Sequence, residues 1–250
     1  MSDTIERPAA TSDTLTPAAE LAVKVSRPWP NEPAGYRAPR EALLAEEIEL
    51  RRHIERVAAQ RRTLPLGGEV LEDYEFEDEQ GGRTRLSEMF GRHDTLIVYF
   101  WMFGPQRERP CPMCTNLLNG LDGNAGDIEQ KAALAIVALS PVARQQAFAR
   151  ERGWRDLRFH SSAGNSFARD YRGLMDDGTD TAAMLVFVRR DGRTHLFYGG
   201  EMEFGTEDPG QDARGAPDLA PLWNFLDLTP RGRDPDWYPK LEYSHAGVQP

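Results

Sequence analysis

The stretch Thr95 to Leu121 constrains the fold more than any other part of the chain. Thr95 to Met102 is an unbroken apolar run rich in β-branched and aromatic residues, which predicts a fully buried strand. A turn-forming loop follows, Gly104-Pro105-Gln106-Arg107-Glu108-Arg109-Pro110, and then Cys111-Pro112-Met113-Cys114 opens a predicted helix over Thr115 to Leu121. These are the only two cysteines in 250 residues, and they share one motif. A buried strand that delivers a loop and a paired thiol to a helix start requires a layered α/β fold around it.

The order of elements agrees. Residues 1–38 hold five prolines and few large apolar residues, and read as a mobile or extended arm. Over 39–66 the pattern turns helical: Leu43, Leu50, Ile54, Val57 and Leu64 form a stripe interrupted by Glu47 and Arg61, and Pro65 with Gly67-Gly68 ends it. This reads as an amphipathic helix packed on the domain, and the same stripe is compatible with a homodimer. The domain itself spans 67–230. Val70–Phe76 reads as a strand, Arg85–Gly91 as a short helical turn, and Asp122-Gly123-Asn124 as the break that ends the motif helix. Ala132–Leu139 predicts a strand buried on both faces. Pro141–Arg152 predicts a helix closed by Gly153, and Leu157–His160 a brief extended segment. Asn165 caps a helix through Tyr171. Ala182–Val188 and Thr194–Tyr198 flank Asp191-Gly192 as a hairpin. Residues 199–217 read as a surface loop, Asp218–Leu226 as a closing helix and 231–250 as an irregular tail.

Composition narrows the partners. A formal charge of −10 argues against a surface that tracks nucleic-acid phosphates. No run approaches the apolar length of a membrane span, and the first residues lack the cationic and apolar regions of a secretory signal. With one cysteine motif and no disulfide framework, the expected location is cytoplasmic.

Two cysteines three apart at a helix start suit thiol–disulfide chemistry. The thiolate is the nucleophile, and a free cysteine with a pKa near 8.5 is only roughly 3% ionised at pH 7. Cys111 is expected at the positive end of the helix, Pro112 suits the first helical position, and Arg107 and Arg109 add positive charge. Cys114, Leu117, Leu118 and Leu121 fall on one helical face, so Cys114 points to the core and Cys111 to the exposed tip. Cys111 is therefore the expected attacking thiol and Cys114 the resolving one, exchanging with a protein or small-molecule disulfide or thiol and needing no cofactor. The competing readings are a pair of inert core cysteines in a binding module, and a metal site completed by His160 and His195 together or by His195 alone.

The motifs Met102-Phe103-Gly104-Pro105 with Cys-Pro-x-Cys, Arg85–Phe90, Gly153-Trp154, His160-Ser161-Ser162 with Phe167 and Tyr171, and Leu226–Arg233 together resemble a bacterial thioredoxin-like family catalogued as domain of unknown function 899. That resemblance implies a thioredoxin-like fold, a mixed central sheet flanked by helices, with an N-terminal helical extension. It implies a dithiol role for Cys111 and Cys114. It also implies that Thr181 stands where thioredoxins carry a cis-proline before the strand facing the cysteines. Thioredoxins use a buried carboxylate on the preceding strand as proton acceptor; strand 95–102 has none, which leaves water, Glu108 or His160. The layout of 78–192 is also similar to peroxiredoxins, but their P-x-x-x-[ST]-x-x-C motif is absent.

Overall fold

The computed structural model describes residues 15–200, 218–233 and 236–243. The chain divides into two compact units, Met1–Leu64 and Pro65–Pro250. In the first, helix α1 (Ala18–Val25) packs on helix α2 (Arg37–Arg62). Ala18 and Ala22 bury the contact face of α1, and Arg52 of α2 is buried while donating to the Thr16 carbonyl at 2.6 Å. The expectation of a mobile or extended arm over 1–38 is thus corrected at α1, where Leu21 and Ala22 continue a short apolar face between Pro17 and Pro28. Residues 1–14 lie outside the described residues. Leu43, Leu50 and Ile54 of the stripe are exposed.

The second unit is a seven-stranded mixed sheet. Its strands are β1 (Glu75–Glu77), β2 (Arg83–Arg85), β3 (Thr95–Phe100), β4 (Ala133–Ala138), β5 (Phe159–Ser161), β6 (Ala183–Arg190) and β7 (Arg193–Gly200), in the order β2-β1-β5-β4-β3-β6-β7. Strands β3, β4 and β5 run parallel, β6 returns antiparallel beside β3, and β7 runs antiparallel to β6 at the sheet edge. Between them lie α3 (Leu86–Met89), α4 (Pro112–Ile128), α5 (Val142–Arg152) and α6 (Phe167–Asp170), and α7 (Pro221–Asp227) closes the series. The core is β3-α4-β4 followed by the β6–β7 hairpin and α7, with β3 between β4 and β6. This is the thioredoxin-like arrangement.

Every residue of β4 is buried, as its continuous apolar run requires. Asp191 and Gly192 both take positive φ (52° and 75°), the conformation that a two-residue hairpin turn needs. Two apolar layers sandwich the sheet. One joins Tyr99, Trp101, Ile136, Phe159 and Met184 to α4 and α5. The other joins Leu96, Val98, Phe100, Val137 and Phe187 to Phe76, Phe90 and Phe167.

Three sequence expectations change. Helix α4 does not stop at Asp122-Gly123-Asn124 but runs on to Ile128, because Leu117, Leu118 and Ala125 keep a buried face along it. The strand expected over Val70–Phe76 begins only at Glu75. Upstream of it, Gly67, Gly68 and Val70 hydrogen-bond the outer edge of β7 instead. The loop expected over 199–217 gives way to β7 through Gly200, and 201–217 lie outside the described residues.

Candidate functional site

The parallel strands end at one edge of the sheet, and the two cysteines lie there. After Phe100 the backbone N–H of Trp101 still bonds to Val137, and the Cys111 N–H donates to the Met102 carbonyl at 3.0 Å. This ties the start of α4 to the end of β3. Cys111 is the N-cap residue and Pro112 takes the first helical position, where its missing N–H costs nothing. Thr115 closes the first turn on the Cys111 carbonyl through its own N–H (3.0 Å) and its hydroxyl (2.9 Å). Both thiols are free, and they lie 3.7 Å apart.

The two sulfurs have different surroundings. Cys111 is partly exposed, whereas Cys114 is 3% exposed inside the α4–α5 layer. The Cys111 pKa is lowered to about 6, first by a hydrogen bond from Cys114, then by the backbone N–H groups of Cys114 and Met113 at the helix start, and last by the charge of Arg107; burial opposes these effects. Cys114 moves the other way. It gives its hydrogen bond to Cys111 and is buried, and both hold its proton well above the ordinary thiol range.

Arg107 and Arg109 part company. Arg107 pairs with the buried carboxylate of Asp180 at 2.6 Å and faces Cys111. Arg109 turns to Glu151 and Glu242 and lies over the Phe148 ring, so it does not supply the charge expected of it at the thiol. Thr181 lies at the sheet edge where the cysteines sit. Its N–H donates to Gly173 at 3.1 Å, and Ala183, two residues on, pairs with Phe100 at the end of β3. Gly173 is required there: a Cβ would come within 2.6 Å of the Phe100 ring.

His160 is not brought to the cysteines. It pairs with Val137 and so shares the face opposite to α4, where burial lowers its pKa to about 4. The proton-acceptor role considered for it is therefore corrected. His195 pairs with Val188, which pairs with Thr95 at the far end of β3 from the motif, so it does not complete a metal set with the cysteines. Among the described residues no group of three or more His, Cys, Asp or Glu side chains is placed to hold a metal.

Three residues that sequence reasoning passed over also shape the site. Asp180 accepts from the Gly104 N–H at 2.7 Å as well as from Arg107. Arg144 of α5 stacks over Phe103 at 4.5 Å and donates to the carbonyls of Gly104, Arg107 and Glu108, stapling the loop from its other side. Tyr99, 1% exposed on β3, lies in the same apolar layer as Cys114, and burial with the neighbouring cysteines raises its phenol well above the usual range. Its place in the strand was legible from the unbroken apolar run, but its place in one layer with Cys114 needs the crossover of α4 over β3. A cleft of about 330 Å³ opens beside the loop, between Gly104–Arg107 and Gly178–Asp180, with Leu139 and Leu174 on its walls.

Residues 26–245 match the model of a family described as bacterial protein of unknown function (DUF899). The chain belongs to this family. No curated protein matches it. Among solved structures it is similar to a cysteine-to-serine mutant of PrxQ from Xylella fastidiosa, at 11% identity and TM-score 0.44 over 54% of this chain and 84% of that one. It is also similar to a peroxiredoxin-like protein from Aquifex aeolicus, at 12% identity and TM-score 0.40 over 54% and 75%. A third is the pneumococcal exposed lipoprotein thioredoxin of Streptococcus pneumoniae, at 14% identity and TM-score 0.38 over 63% and 100%. Among the described residues no helix is long and apolar enough to cross a membrane.

Proposed function

We propose that the protein is a thiol–disulfide oxidoreductase that cycles Cys111 and Cys114 between dithiol and disulfide. The observation that carries this reading is the placement of two adjacent free thiols, Cys111 partly exposed at a helix N-terminus and Cys114 buried one turn on, which lowers the pKa of the first and raises that of the second. With a pKa of about 6, Cys111 is roughly 90% thiolate at pH 7, against roughly 3% for a free cysteine. Nucleophilicity falls as the pKa falls, but far less steeply than the thiolate fraction rises.

Cys111 attacks one sulfur of a substrate disulfide, forming a mixed disulfide and releasing the first substrate thiolate. Cys114 then attacks the Cys111 sulfur, the internal disulfide forms, and the second substrate thiol leaves. The substrate gains two electrons and the pair loses two. No metal or organic cofactor enters the exchange. The substrate is a protein or small-molecule disulfide, and a cytoplasmic thiol returns the pair to the dithiol.

The test is a redox titration. Protein equilibrated in buffers of graded dithiothreitol ratio, then acid-quenched and alkylated, should convert between two free thiols and none along a single two-electron curve. Two free thiols at every ratio would overturn the proposal.

A further inference from the structure

We infer that the outer face of α2 is a dimer interface, on which α2 of a second copy of this chain lies antiparallel. Helix α2 holds 26 residues, about 39 Å of helix, and is apolar on two opposite sides. At about 3.6 residues per turn, the half-buried Leu44, Ala45 and Ile48 share one side with Arg52. Arg52 is buried and reaches the Thr16 carbonyl just ahead of α1, so this is the side that α1 covers. Leu43, Leu50, Ile54 and Val57 line the other side. There Leu43, Leu50 and Ile54 are 54%, 62% and 59% exposed, so α1 leaves a second stripe open. A continuous aliphatic stripe in water marks a surface made for a partner.

The charges of α2 identify that partner. Residues 41–50 carry Glu41, Glu46, Glu47 and Glu49 and no Lys or Arg, whereas residues 51–62 carry Arg51, Arg52, Arg56, Arg61 and Arg62 against Glu55 alone. The helix dipole does not account for this division, because it acts within the end turns and the first turn holds Arg37 and Arg40 and no acid. Two such helices attract when they run in opposite directions, acidic half on basic half. The stripe itself is interrupted by Glu47 and Arg61. In a parallel pair each interruption would meet its own copy. In an antiparallel pair with Leu50 against the partner's Ile54, Glu47 falls within one turn of the partner's Arg61, whose aliphatic stem covers Leu43. Two-fold symmetry repeats each contact, so both interruptions are answered twice. Within one chain Arg40 pairs with Glu47 at 3.2 Å through Oε2, an exposed contact worth little, which leaves Oε1 for the partner's Arg61.

The experiment is sedimentation equilibrium of the full-length protein, with far-UV circular dichroism of each variant as a check on the fold. The wild type should weigh two chains. Leu50→Lys, at an exposed position of the single chain, should raise the dimer dissociation constant about a hundredfold or more, because symmetry puts two lysines into the centre of the interface. Glu47→Arg and Arg61→Glu should each raise it about tenfold. The double exchange, Glu47→Arg with Arg61→Glu, should return it to within about threefold of the wild type. A parallel pair keeps like on like in all three charge variants, so none of them would move its dissociation constant. A monomer at every concentration, a dimer indifferent to Leu50→Lys or to the single charge exchanges, or a double exchange no tighter than the single ones would overturn the proposal. In the first case, a melting temperature lowered by Leu50→Lys would assign the stripe to the second unit of the same chain instead.

Discussion

Asp180 holds Arg107 through its Nε at 2.6 Å, and its other carboxylate oxygen takes the Gly104 N–H at 2.7 Å. One carboxylate thereby fixes both the entry of the loop before Cys111 and the cation that faces the thiolate. Asp180→Ala leaves the Gly104 N–H buried without an acceptor, a loss of about 1–3 kcal/mol. Urea unfolding should show that loss. Arg107→Gln keeps the Gly104 contact and removes the charge, so the alkylation midpoint of Cys111 should move upward from about pH 6.

That midpoint is itself a prediction. Alkylation of the reduced protein by iodoacetamide should rise with pH around 6 at Cys111 and stay slow at Cys114 throughout the neutral range. Peptide mapping after short exposures measures both sites in one experiment. Equal labelling of the two at pH 7 would contradict the assignment.

Where one local signal was enough, the fold was legible in the sequence. The strand at Thr95–Phe100, the helix opened by Cys111-Pro112, the Asp191-Gly192 turn and the Gly153 stop, at φ 76°, each follow from spacing or from a residue suited to one conformation. What failed was mostly non-local. Gly120, Gly123 and Gly126 look like helix breakers until Leu118 and Ala125 are seen fully buried against the sheet, a gain that outweighs about 1 kcal/mol per glycine. Likewise, Asp180 sits 73 residues from Arg107, and nothing in either neighbourhood announces the pair. Proline spacing hid α1, because Pro17 precedes its first turn instead of interrupting it.

The same glycines give a stability test. A Cβ at Gly123 or Gly126 meets nothing within 4 Å, and both lie inside α4. Gly123→Ala and Gly126→Ala should each stabilise the protein by about 0.5–1 kcal/mol. Thermal unfolding of the single variants measures this, and a lowered melting temperature in either would mean that α4 frays before that point.

His160 predicts an acid-sensitive component of stability. Burial holds its folded-state pKa at about 4, below the ordinary value near 6.5, so the fold favours the neutral ring. This contribution is complete above about pH 6.5 and is lost as pH falls through 4, where the unfolded chain binds the proton first. The full effect is on the order of 3 kcal/mol. Cys111, whose depressed pKa contributes fully above about pH 8.5 and is lost as pH falls through 6, adds the same loss to both proteins and cancels from the comparison. Unfolding free energies at pH 7 and 4.5 should therefore fall less in His160→Gln than in the wild type.

The division of labour between the thiols makes the strongest demand. In Cys114→Ser, Cys111 keeps its place at the helix start and attacks, but nothing resolves the mixed disulfide, so partners accumulate on the protein. In Cys111→Ser, Cys114 remains 3% exposed on the buried face of α4, protonated and out of reach of a substrate disulfide, so little is captured. The asymmetry follows because exchange needs both a thiolate and access to the attacked sulfur. Two inert core cysteines predict no such difference, since loss of either would cost only packing. Non-reducing gels of each variant after incubation with a cell extract, with mass analysis of the shifted bands, measure the effect. Capture through Cys114 and not through Cys111 would reverse the roles, and capture by neither would leave the pair without a protein substrate in that extract.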